Sequence, residues 1–324
     1  MRIAMCLEDV PDAKWHYALQ TGVTDAVALR KVSDEVPIWD FLTLARLKQR
    51  FADFGLELRV IEGWMQMDAI RLGIDEVARK HEFDRFADVV RNMGRLGIPT
   101  FCYNWMARHN WLRTSTTTRT RGGALTTSYS HKIASQAPLP EGHTEVTEEQ
   151  LWQTLERFLE EILPICEEAG VNLAMHPDDP PLSPVFGTGR IMRSVEAFER
   201  LLSLSDSPAN GITFCQGNFA AMRADVPAAI RKLGADGRIH FVHFRDVEGG
   251  PEEFTEVFHD AGPTDMYETI RAYHDIGFTG VMRPDHAPVL YGEKNENPGY
   301  EALGRLFAVG YMRGLIEGVE KAAR

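Results

Sequence analysis

Short apolar runs alternate with amphipathic helical stretches from one end of the chain to the other, and this alternation limits the fold more than any other feature. Runs at Arg2–Leu7, Val23–Leu29, Leu56–Ile61, Ile98–Tyr103, Val171–Met175, Gly211–Phe214, Ile239–Val242 and Thr279–Arg283 read as eight strands, with the near-continuous apolar character of strands buried on both faces. Helical spacing falls at Asp12–Gln20, Trp39–Phe54, Phe83–Leu96, Thr147–Ala169, Val195–Leu204, Val226–Leu233, Asp265–Ile276 and Tyr300–Ala323. Alternating β and α in one run means a parallel sheet, and right-handed crossovers close eight such strands into a (β/α)8 TIM barrel. That fold can use all 324 residues as a single domain, 1–324. The pattern lapses only between Trp105 and about Thr144, where Thr114–Arg121 is rich in Thr and Arg and Gly122-Gly123 follows. A long loop after the fourth strand is expected there, either a lid or a solvated excursion.

A formal charge of −12 argues against a nucleic-acid or anionic-membrane partner, since both reward basic surface. An anionic substrate would need a locally basic site within an acidic protein. Cys6, Cys102, Cys166 and Cys215 are scattered, with no Cys-x-x-Cys pair, which reads as reduced intracellular thiols. The apolar start Met1–Leu7 is too short for a signal peptide, and no uncharged stretch approaches the roughly 20 residues of a membrane helix. A cytoplasmic protein is expected, and a homo-oligomer is left open.

The ends of the last four strands carry the chemistry. They are His176, Cys215, His243 and Asp285, spaced 39, 28 and 42 residues apart. In a barrel of this kind the C-terminal strand ends converge on one rim. Two imidazoles, one thiolate and one carboxylate make a divalent-metal site with positions left for substrate. Gly187-Thr188-Gly189 lacks the third glycine of a dinucleotide fingerprint, and no Gly-x-x-x-x-Gly-Lys loop or His-Glu-x-x-His helix is present. His81, His131, His143 and His274 are assigned to surface or packing, Cys6 and Cys102 to the core.

Four segments resemble the metal-dependent D-mannonate dehydratases: His176-Pro177-Asp178-Asp179-Pro180-Pro181, Ser207–Cys215, Ile239–Arg245 and Arg283-Pro284-Asp285-His286. Tyr103-Asn104-Trp105-Met106 and Trp111-Leu112-Arg113-Thr114 are similar to that family's Tyr-Asn-Phe-Met and Trp-Thr-Arg-Thr, and Gly292-Glu293 and Pro298-Gly299-Tyr300 match near the end. The resemblance implies a xylose-isomerase-like barrel that removes water from D-mannonate, or a close sugar acid, to give 2-keto-3-deoxy-D-gluconate in hexuronate (glucuronate) catabolism. It implies Mn²⁺, with Fe²⁺, Co²⁺ or Zn²⁺ also suited to the ligands His176, Cys215, His243 and Asp285. His286 and Tyr300 would be the acid/base pair, and Asn104, Arg113, Arg245 and Arg283 would bind substrate. Asp178 and Asp179 would orient ligands or cap the turn. The chain departs from the family at Met5-Cys6-Leu7-Glu8 (family Arg-Trp-Tyr-Gly), Glu62-Gly63-Trp64-Met65 (Glu-Ser-Ile-Pro), Asn110 (Asp) and Tyr291 (Trp). These changes fall on residues expected to face the distal hydroxyls. The alternative is a metal-dependent sugar isomerase or epimerase on the same barrel, whose sites commonly rely on carboxylate ligands.

Overall fold

Eight of the apolar runs form strands that pair side by side in parallel and close on themselves. A computed structural model of the chain describes residues 1–31, 37–139 and 144–324, so His143 lies outside the described residues. In chain order the strands are β1 (Arg2–Leu7), β2 (Asp25–Lys31), β3 (Glu57–Trp64), β4 (Thr100–Asn104), β5 (Ser115–Arg119), β6 (Leu125–Ser130), β7 (Asn172–His176), β8 (Asn210–Cys215), β9 (Ile239–Phe244), β10 (Val247–Gly250), β11 (Glu253–Glu256) and β12 (Val281–Pro284). The barrel runs β1-β12-β9-β8-β7-β4-β3-β2. Cα registers such as Cys215↔His243 and Asn104↔His176 set the candidate ligands level with one another at one rim.

The helices start where the sequence offers a cap. Asp40, Thr147, Ser194, Asp225 and Asp265 each accept a hydrogen bond from the backbone N–H three residues on. The helix Glu148–Ala169 ends at Gly170, whose φ of 67° suits a residue without Cβ. Periodicity places the start of one helix at Phe83, but it begins at Glu76. Its first two turns are polar and are held by the Asp75 side-chain cap and by Arg79, which bridges Glu76 and Glu161. No helix among the described residues is long and apolar enough to cross a membrane.

The expected loop after β4 is instead half of a second sheet. β5 and β6 form a hairpin, β10 and β11 another, and the two join in antiparallel order β10-β11-β6-β5. Thr-rich strands form because β-branched side chains suit a pleated surface even when one face is polar. The sheet's apolar side, with Tyr129, Val247 and Phe254, packs on Ala221 of the helix Gln216–Ala221 to make a satellite core. Because β10 begins three residues after β9 ends, this sheet is tied to the barrel's C-terminal rim.

Phe254 is 1% exposed and stacks near Tyr129 and over the Arg113 guanidinium. Phe254→Ala is expected to cost about 3–5 kcal/mol of unfolding free energy, read by urea denaturation at neutral pH. A loss below about 1 kcal/mol would mean that the second sheet does not depend on this cluster.

Candidate active site

Side chains two apart on a strand share a face, and this period delivers the functional residues. Val60, Cys102, Ala174, Phe241 and Val281 belong to the small apolar cluster that fills the barrel interior. Two positions further along the same strands stand Glu62, Asn104, His176, His243 and Arg283. Asp285 follows Arg283 by the same step. All six line a cavity of about 390 Å³, together with Trp111, Arg245, His286 and Tyr300. The cluster confirms Cys6 and Cys102 as buried core thiols, and burial pushes Cys6 up to about 12.

His176, Cys215 and His243 bring one ligand atom each within 4.8 Å of one another. Asp285 Oδ2 lies 3.6 Å from His243 Nδ1 and 4.0 Å from Cys215 Sγ, so the four strand-end residues do converge. His176 Nδ1 is 2.7 Å from the Pro177 carbonyl, an arrangement that commits the Nδ1 proton and leaves Nε2 as a lone pair. Burial lowers the His176 pKa, against the nearby carboxylates, and so favours the neutral imidazole that ligation needs. Neither ring nitrogen of buried His243 makes a hydrogen bond, although Glu62 Oε1 lies 3.3 Å from Nε2. Orphaned buried nitrogens beside a thiol and a carboxylate fit a cation.

Charge balance points the same way. Four buried carboxylates, Glu62, Asp179, Glu256 and Asp285, face three guanidiniums, Arg113, Arg245 and Arg283. One negative charge is left over, and a cysteine that ligates as thiolate adds another. A divalent cation would offset both. Glu62, Cys102 and His243 form a second close trio, sharing His243 with the first.

The arginines are mostly spoken for. Arg113 uses all five N–H groups: Nε on Thr127 Oγ1, Nη1 on the Leu112 carbonyl and Asp179 Oδ1, Nη2 on Asp179 Oδ2 and Glu256 Oε1. Its side chain is 1% exposed and it does not line the cavity. The expectation that Arg113 contacts substrate is therefore corrected: it braces Asp179 and Glu256 behind the cavity wall. Arg245 is similarly engaged, through Nε near Cys215 Sγ (3.3 Å) and Asp285 Oδ2 (3.1 Å), Nη1 on Glu256, and Nη2 on Asp179 and Asn218. Arg283 spans Glu62 and Asp285 and keeps one Nη2 hydrogen uncommitted. The Oδ1 of Asn104 accepts from Arg71 and Met106 N, so what Asn104 offers the cavity is its NH₂ group. Asp178 holds Met192 N and faces Arg190, tying the loop after β7 in place.

His286 and Tyr300 flank Asp285. The Tyr300 hydroxyl donates to Asp285 Oδ1 at 2.9 Å, and burial, followed by the Asp285 charge, pushes its pKa well above the ordinary phenol value. His286 Nε2 lies 3.8 Å from the same oxygen, and its Nδ1 faces Glu256 Oε1 at 2.9 Å. Glu256 and Asn218 were not singled out from the sequence. Glu62 could have been, because the apolar run Leu56–Ile61 stops at it as the later runs stop at the four candidate ligands. His81 and His274 are exposed, and His131 meets the Tyr129 hydroxyl, in keeping with surface or packing roles.

Burial alone would raise the carboxyl pKa values of Asp179 and Glu256, but the Arg113 and Arg245 guanidiniums outweigh it, with His286 adding to the effect on Glu256, and hold both low. A depressed folded pKa contributes stability in full above the unfolded value of about 4 and loses it as pH falls through the folded one. Arg245→Met is expected to cost about 3–5 kcal/mol at neutral pH. That cost should shrink in urea unfolding below pH 4, where the carboxylates protonate more readily without Arg245; a pH-independent cost would contradict the account.

A model of the D-mannonate dehydratase (UxuA) family matches residues 13–139 and 137–324. The mannonate dehydratase of Thermotoga maritima is 35% identical over 318 residues, spanning 88% of this chain and 87% of that protein. Mannonate dehydratase 2 of Halalkalibacterium halodurans is 36% identical over 308 residues, spanning 87% and 88%. The crystal structure of mannonate dehydratase from Streptococcus suis serotype 2 superposes with a TM-score of 0.92 at 31% identity, covering 100% of this chain and 96% of that one. An L-ribulose 3-epimerase structure shares the fold alone, at TM-score 0.64 and 14% identity over 99% of this chain and 96% of that one. With the closed parallel barrel and the converging strand ends, these likenesses show that the chain belongs to the D-mannonate dehydratase family.

Proposed function

We propose that this chain is a metal-dependent hydro-lyase that converts D-mannonate, or a close sugar acid, to 2-keto-3-deoxy-D-gluconate in the hexuronate pathway. The observation that carries the proposal is the convergence of His176, Cys215, His243 and Asp285 at the barrel rim, three of them lining the cavity and Cys215 directly behind, in a chain of this family. These four would hold the ion, most suitably Mn²⁺. We place the reaction in the cytoplasm, where free buried thiols such as these four persist, and assign it to one barrel domain. The isomerase or epimerase alternative has less support, because the likeness to epimerases reaches the fold only.

The chemistry sets two demands. The C2 proton lies beside a carboxylate and is weakly acidic, so negative charge develops on the acid oxygens as it leaves. The C3 hydroxide is a poor leaving group and needs a proton as it departs. A bound divalent cation supplies the positive charge that the enediolate requires. Around it, the free Arg283 Nη2 hydrogen and the Asn104 NH₂ are set to hold the substrate carboxylate and neighbouring hydroxyls. His286 Nε2 and the Tyr300 hydroxyl, on either side of Asp285, would be the two proton-transfer groups. The buried ion-pair wall behind them holds this geometry and keeps water from the back of the cavity.

Purified protein supplied with Mn²⁺ and D-mannonate should form a 2-keto-3-deoxy product, with weaker or no turnover of neighbouring aldonates. Absence of product from every aldonate would overturn the dehydratase proposal. Cys215→Ser should lose Mn²⁺ on dialysis, read by elemental analysis; a variant retaining one equivalent would show that the ligand set is wrong.

A further inference from the structure

We infer that Glu256 is the positioning residue for His286: it fixes the imidazole in the tautomer that carries its proton on Nδ1 and turns Nε2 to the reacting sugar acid. The inference deepens the dehydratase proposal and rests on it for the identity of the reaction. It concerns a residue outside the barrel strands, in β11 of the second sheet, fully buried and with no ligand role.

The proton inventory decides the tautomer. Two groups approach His286 Nδ1: Glu256 Oε1 at 2.9 Å and Arg113 Nη2 at 3.2 Å. Arg113 Nη2 has two hydrogens, and both are committed, one to Asp179 Oδ2 and one to Glu256 Oε1. Its contact with Nδ1 has to share one of these hydrogens and is the longer of the two. Were Nδ1 unprotonated, its lone pair would face a carboxylate oxygen with no hydrogen between them. At the shorter contact the carboxylate can only accept, so Nδ1 donates to Glu256, and the other nitrogen, 3.8 Å from Asp285 Oδ1 on the cavity side, is left for proton transfer.

Neither partner is free to drift. Glu256 is held by both oxygens on Arg245 Nη1 (2.7 and 2.9 Å) and by Arg113. His286 sits at a backbone φ of 40°, unusual for a residue with a side chain. Gly299 packs against it so closely that a Cβ there would lie 3.2 Å from the His286 Cα. The ring is flanked by Trp111, with centroids 5.6 Å apart, and by Tyr300 at 5.4 Å and near a right angle. The carboxylate neither gives nor takes the reacting proton. It sets which nitrogen is available and where it points, as a buried acid does for a catalytic histidine in unrelated enzymes.

Glu256→Asp separates this role from simple charge balance. It keeps the negative charge facing Arg113 and Arg245 but withdraws the acceptor from the imidazole by about 1.5 Å. In metal-free, ¹⁵N-histidine-labelled wild-type protein, long-range ¹H–¹⁵N correlation should show His286 protonated on Nδ1, assigned by loss of the signal in His286→Asn. In Glu256→Asp that proton should exchange rapidly or move to Nε2. In the Mn²⁺-loaded variant kcat for D-mannonate should fall about 10- to 100-fold, with KM and bound metal within about twofold of wild type. A wild-type His286 protonated on Nε2, or a Glu256→Asp variant with the wild-type tautomer and kcat, would overturn the inference. If wild-type protein turns over no aldonate, the dehydratase proposal falls, while the metal-free spectra still decide between the two tautomers.

Discussion

The Arg245 guanidinium lies where the barrel rim, the second sheet and the candidate metal centre meet. Its Nε faces Cys215 and Asp285, and its two Nη groups hold Glu256, Asp179 and Asn218. Removing a charge from water costs several kcal/mol even after relaxation, so a fully buried guanidinium needs carboxylate partners and is best held when every donor is matched. Arg245 meets that condition. The neighbouring ion pairs, Arg113 with Asp179 and Glu256 and Arg283 with Glu62 and Asp285, continue the charge pairing around the cavity. The network therefore walls the candidate site, holding Asp285 beside both the candidate ligands and His286 and Tyr300.

That arrangement divides Asp285 between two tasks. Its Oδ2 faces Cys215, His243 and Arg245; its Oδ1 receives Arg283 and Tyr300 and lies nearest His286. One carboxylate thus connects the candidate ligands Cys215 and His243 to His286 and Tyr300. The second sheet has a comparable connecting role, since β11 brings Glu256 from outside the barrel to the back of His286. The sheet whose other hairpin reads as a loop in the sequence thus reaches the wall of the candidate site.

The barrel and the meeting of its strand-end residues were legible because each rests on local rules. Apolar runs alternating with amphipathic helices specify parallel strands, and the period of two places His176, His243 and Asp285 inward at the strand ends. The same rule picks out Glu62, two residues beyond Val60 on β3, whose place in the wall shows only once Arg283 is seen across from it. Glu256 had no such signal. Its partner Arg113 lies 143 residues away in sequence, and the strand that carries it is four residues long in a polar stretch. The Thr-rich hairpin was hidden for a related reason, since its satellite core draws one or two apolar residues from each of several segments. Arg113 illustrates the converse error: the segment around it pointed to the site, but its five donors are spent on protein groups.

Anomalous diffraction at the manganese edge from crystals of the Mn²⁺-loaded protein tests the central claim most directly. The account predicts a single peak bonded to His176, Cys215, His243 and Asp285, beside the cavity that His286 and Tyr300 line. A peak held by Glu62, Cys102 and His243, or one away from the barrel rim, would contradict it.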